Sequence, residues 1–101
     1  MKIKSGVSVL GLKPEILVAL QVAERIWSDY GHVLVLTSGT EGDHQYNSDH
    51  YKGLAVDLRN RFFTGEQKVM VTNDLRESLG SEFSVIVHYT HIHISYVGNR
   101  R

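Results

Sequence analysis

The chain has 101 residues, 42% of them hydrophobic, with a single proline, no cysteine, and eleven basic and eleven acidic side chains that cancel. That is one domain, residues 1–101, with room for one core; disorder and a disulfide framework are excluded. Balanced charge creates no field to draw nucleic acid or a membrane surface, and the small cationic ends at Lys2/Lys4 and Arg100/Arg101 do not change that.

Residues 2–12 read as an irregular or short extended arm. The stretch 6–12 is broken by Ser8 and Gly11, too short and too interrupted for a signal peptide or a membrane span. The expectation is a chain made in the cytoplasm, without membrane insertion. Pro14 sits where a first helical residue belongs, and Ile16, Leu20, Ala23, Trp27 and Tyr30 recur at helical spacing up to Gly31. Leu17, Val18, Val22 and Ile26 widen this stripe, which predicts a mostly buried helix over 14–30. Residues 32–37 (HVLVLT) form a β-branched and leucine run that fits a central strand.

Residues 38–49 are polar and glycine-containing, the longest loop of the chain and a natural substrate wall. Residues 54–59 alternate, placing Leu54, Val56 and Leu58 on one strand face and Ala55, Asp57 and Arg59 on the other. Thr64 followed by Gln67 is a capping box that opens a second, amphipathic helix ending at Gly80. Residues 83–89 and 91–97 alternate again as two strands. Helix, strand, strand, helix, strand, strand predicts an α+β fold: a small, largely antiparallel sheet with two helices packed on it.

Six histidines have to be sorted. His32 follows a helix C-terminus and reads as structural. His44 lies in the polar loop, a candidate to touch substrate. His50 and Asp57 stand seven residues apart and can reach one point if the chain bends at Gly53. His91 and His93 share a strand face, about 7 Å apart along the backbone. His88 is close by in sequence. Imidazole and carboxylate are the ligand types that hold zinc when no cysteine is present, so these two clusters predict a metal site. Composition does not choose between His91 and His93.

The segment Ser48-x-His50-x-x-Gly53-x-Ala55-x-Asp57 resembles the signature of the zinc D-Ala-D-Ala carboxypeptidase and endopeptidase family, and the run DHYKGLAVDL resembles the zinc-binding segment of Hedgehog signalling domains, which share that fold. His88-x-x-His91-x-His93 is similar to the family's second motif. The resemblance spans residues 12–97. It implies a Zn2+ cofactor held by His50, Asp57 and His93, with His88 and His91 as catalytic or water-orienting groups and His88 as the first candidate for general base. Ser48 then bonds either the ligand side chain or the loop backbone rather than reacting, and Glu41 is an alternative base or a contact for a positively charged substrate group. The implied activity is metal-assisted hydrolysis of peptidoglycan stem peptides, by a D-Ala carboxypeptidase or an endopeptidase.

The family's Ser-Gly-Tyr-Arg is replaced by Ser38-Gly39-Thr40-Glu41, and no arginine lies between that segment and Arg59. A free substrate carboxylate would want a cation. The expectation therefore moves toward an endopeptidase, or toward a carboxypeptidase whose cation comes from elsewhere. The small size resembles phage-encoded members, which act on the wall after release or from a virion. The alternative is a non-catalytic zinc-binding interaction module of Hedgehog-like fold; retention of three histidines in the second motif argues for catalysis.

Overall fold

A computed structural model of the protein describes residues 1–42 and 48–98. In chain order the elements are β1 (Lys2–Ile3), α1 (Pro14–Asp29), β2 (Val35–Ser38), β3 (Ala55–Arg59), α2 (Gly65–Leu79), β4 (Phe83–Val87) and β5 (His91–Tyr96). The five strands form one sheet in the order β1-β2-β3-β5-β4, parallel at β1–β2 and antiparallel elsewhere. Two helices pack on this mostly antiparallel sheet, as the periodicities predict. None of the helices is long and apolar enough to cross a membrane.

Pro14 begins α1, and Gly31, in the left-handed region at φ 81°, follows its end. The buried positions of α1 are Ile16, Ala19, Leu20, Ala23, Ile26 and Trp27. Leu17 and Val18 are about half exposed, at 49% and 55%. The expectation of a mostly buried helix is corrected here: each residue turns about 100° around the axis, and a sheet plus one neighbouring helix cover only one side. Thr64 Oγ1 accepts from the Gln67 backbone while the Gln67 side chain accepts from the Thr64 backbone, so α2 begins at the expected capping box.

The core lies between the helices and one sheet face, with Leu36, Val56, Leu58, Ile92 and Ile94 meeting Trp27, Phe63, Val71 and Leu75. Trp27 is fully buried, stacks edge-on against Phe63 at 5.4 Å and donates its indole N–H to the Arg59 carbonyl at 3.2 Å. Because alternate side chains point to opposite faces, burial of Val56 and Leu58 directs Ala55, Asp57 and Arg59 to the other face. The site is built there.

The N-terminal arm is short and extended at its start, as its sequence suggests. Lys2 and Lys4 donate backbone bonds to Leu34 and Leu36, making β1, and the chain then runs past the loops that carry Gly39 and Gly53. A Cβ on Gly39 would stand 2.1 Å from the Ser8 carbonyl oxygen, and one on Gly53 2.0 Å from that of Gly11. Gly53 has the left-handed φ of 73° that suits the bend the sequence implies, and the 11–12 backbone packs directly against it.

Candidate metal centre

Register brings the site together. Asp57 on β3 pairs directly with His93 on β5, while His91 pairs with Arg59. The choice between the two histidines is therefore made by strand pairing: the residue opposite Asp57 faces it, and the one two places away reaches it only diagonally. His93 Nδ1 donates to Asp57 Oδ1 at 2.8 Å, whereas His91 Nε2 stands 4.0 Å from Asp57 Oδ2.

His50 arrives from the loop before β3. Its backbone N–H donates to Ser48 Oγ at 3.2 Å, so Ser48 supports the loop backbone. His50 Nδ1–H donates to the Gly39 carbonyl at 3.0 Å, which leaves Nε2 to face Asp57 Oδ2 at 3.5 Å. A carbonyl holding the far nitrogen of a ligand imidazole fixes its orientation and tautomer, as metal-bound histidines require. His50 is 5% exposed and the Asp57 side chain 15%.

The ligand atoms offered by His50, Asp57 and His93 all lie within 4.8 Å of one another. Ligands each about 2.1 Å from a shared zinc stand roughly 3.4 Å apart in a tetrahedron, so the contacts of 2.8 and 3.5 Å are close to that spacing. Two imidazoles and a carboxylate, with one imidazole pre-oriented from behind, fit a divalent transition metal. The donor set suits zinc without singling it out from neighbouring metals.

A β-bulge shapes the neighbouring wall. Leu36 pairs with Leu58 but Ser38 pairs with Asp57, which leaves Thr37 as an extra residue in β2. Thr37 Oγ1 donates to the Asp57 carbonyl. Glu41 turns inward: its carboxylate accepts from the Ser8 and Gly39 backbones and from Ser38 Oγ, at 2.8–3.0 Å. Burial would push its carboxyl up, but these donors outweigh it and hold the pKa below the usual range. Glu41 thus ties the arm to the loop whose Gly39 carbonyl positions His50.

His88 and His91 stack at 4.6 Å, with His91 between His88 and Asp57. The hairpin carrying them is pinned from beneath by the fully buried Asn60, whose Nδ2 donates to the His88 carbonyl at 3.0 Å. Asn60 was invisible to motif reasoning, because its role depends on a turn 28 residues away. His32 stacks on Phe62 at 4.4 Å, the structural role its position suggested. His44 lies outside the described residues.

Comparison with protein-family models found no match. Comparison with curated proteins found none either. The chemistry of the site therefore stands on the geometry and on the motif resemblance.

Charge in the cluster is mutually supporting. Burial alone would raise the Asp57 carboxyl, but hydrogen bonds from His50 and His93 and their positive charge drive it well below the usual range. Burial likewise acts to lower His50, yet Asp57 and the Gly39 carbonyl overcome it and the pKa is raised. For His91 burial prevails and the pKa is lowered. The stability of the metal-free protein follows with opposite signs. The Asp57 contribution is complete above its unfolded value of about 3.9 and is lost as pH falls through the folded one; the His50 contribution is complete below about 6.5 and is lost as pH rises through its raised value. Thermal unfolding in chelator should show greatest stability from these two groups between about pH 4 and 6.5, with Asp57→Asn flattening the profile at both ends. An unchanged profile in that variant would show that the cluster is not coupled.

Proposed function

We propose that the chain is a zinc-dependent peptidase acting on peptidoglycan stem peptides, with His50, Asp57 and His93 as protein ligands. The observation that carries the reading is the convergence of these three side chains on the sheet face opposite the core, with a third imidazole, His91, beside them. Zinc bound there would bring the pKa of a water to about 7 and polarise the scissile carbonyl.

The chain's own groups then divide the work. Gly39 holds His50 through Nδ1, and Ser48 holds the backbone of the same residue. His91 Nδ1 pairs with Thr90 Oγ1 at 3.2 Å, which directs Nε2 toward the ligand cluster. Its lowered pKa keeps that nitrogen unprotonated near neutrality, suited to accept the proton of the attacking water. His88, stacked against it, is placed to buttress His91 and to pass that proton outward, so in this reading the base is His91 in place of His88.

The test is hydrolysis of purified peptidoglycan fragments by zinc-loaded protein, with products read by mass spectrometry. Loss of a terminal D-Ala defines a carboxypeptidase and an internal cut an endopeptidase. His91→Ala should lower kcat about a hundredfold with zinc still bound, and His88→Ala less. Stoichiometric zinc with no fragment cut at any pH would replace the peptidase by a zinc-binding module.

A further inference from the structure

Next to the ligand cluster the same sheet face opens into a cleft of about 310 Å³, whose lining includes Asp57 and His91 together with Lys4, Arg59 and Arg61. Its size is at the lower end for small-ligand pockets, which run from roughly 300 to 1,000 Å³. Lys4 directly follows β1, Arg59 is at the end of β3 opposite His91, and Arg61 lies two residues further on. Among the described residues none of these three cations has a carboxylate within ion-pair distance. The one carboxylate in the lining, Asp57, is already engaged by histidines. A chain with no net charge has thus gathered three unpaired cations from distant parts of its sequence into one concavity.

We propose that this cleft is a carboxylate-binding subsite, which holds an anionic group of a peptide while the adjoining bond faces the metal ligands. Unpaired guanidinium groups in a recess recognise carboxylates by charge-assisted, bidentate bonds, and they are retained without partners where a ligand supplies the anion. The arm explains how Lys4 contributes: β1 pairing and the Glu41 tie fix its backbone at the cleft edge. The choice of a peptide rests on the peptidase reading; the choice of an anion rests on the cleft alone.

The anion can be a chain terminus or an acidic side chain, and three probes separate them: acetyl-D-Ala-D-Ala with a free C-terminus, the same peptide amidated, and acetyl-D-Glu-D-Ala amide. Binding is measured by NMR titration of the metal-free full chain, so that direct ligation of zinc by the probe cannot contribute. At least one acid should bind about tenfold or more tightly than the neutral amide, and Arg59→Gln with Arg61→Gln should erase that preference while zinc affinity stays within about twofold. Should the substitutions unfold the chain, the acid-to-amide ratio of the unaltered protein decides, since it should shrink between about 20 mM and 500 mM salt. Equal binding of acids and amide, or a preference that survives both substitutions, overturns the subsite. Cleft-dependent acid binding without hydrolysis by the zinc-loaded protein removes the peptidase and keeps the subsite. Hydrolysis of acid and amide with the same KM in native and substituted protein does the reverse.

Discussion

Asp57→Ala is expected to lower zinc affinity by more than about a hundredfold, because loss of an outer-shell partner already costs about 10–100-fold and the proposed role of Asp57 is that of a direct ligand. Its carboxylate also faces His50, His91 and His93, at 3.5, 4.0 and 2.8 Å. Without it the ligand set keeps imidazoles alone, which offset none of the charge of a divalent ion. Competition against a chromophoric chelator measures the loss directly. Thermal unfolding gives a second reading: zinc at a hundredfold excess over its Kd adds about 2.7 kcal/mol to the native protein, which for a domain of this size raises Tm by roughly 10–20 °C. The variant should show no such rise. Circular dichroism must show it folded, since the substitution also takes the hydrogen-bond partner from buried His50. Native zinc affinity in Asp57→Ala would place the ion elsewhere.

Trp27→Ala should destabilise the protein by about 3–5 kcal/mol, the usual range for removing a large buried aromatic. Small domains have only about 5–15 kcal/mol in total, so the variant should be close to unfolding at 37 °C. The reason is specific to this core. Trp27 has no exposed surface, packs edge-on against Phe63, and donates to the carbonyl of Arg59 at the end of the strand that carries Asp57. Trp27→Phe keeps an aromatic ring and gives up the N–H, which should cost about 1–2 kcal/mol through the unpaired carbonyl and the smaller volume. Urea unfolding midpoints of the three proteins test the order. A loss below about 1 kcal/mol for the alanine variant would mean that the core closes around the gap, against the packing described.

Much of the architecture was legible because its signals are local. The Pro14 start, the Gly31 end, the Thr64–Gln67 capping box and the alternation in β3, β4 and β5 each depend on residues within one turn or one strand. Local signals failed where burial depended on what lay opposite: Leu17 and Val18 are as apolar as Ile16 and Leu20, yet among the described residues no element covers them. The pairing of the arm is likewise not local. β1 is two residues long and exposed, and its order comes from backbone bonds to β2 and from Glu41, which no periodicity encodes.

By itself the sequence determined which groups could act as ligands and on which strand face they stand: alternation directs Asp57, His91 and His93 away from the apolar positions, and the spacing to His50 requires a bend at Gly53. Only the tertiary structure decided which of them meet. Strand register put His93 opposite Asp57 and His91 on the diagonal, the Gly39 carbonyl turned His50, and β1 brought Lys4 beside Arg59 and Arg61. The physical reason is range. Propensity and alternation act over a few residues, whereas register and the convergence of charges are set by pairings between segments 30 to 55 residues apart, as between Asp57 and His93 or Lys4 and Arg59.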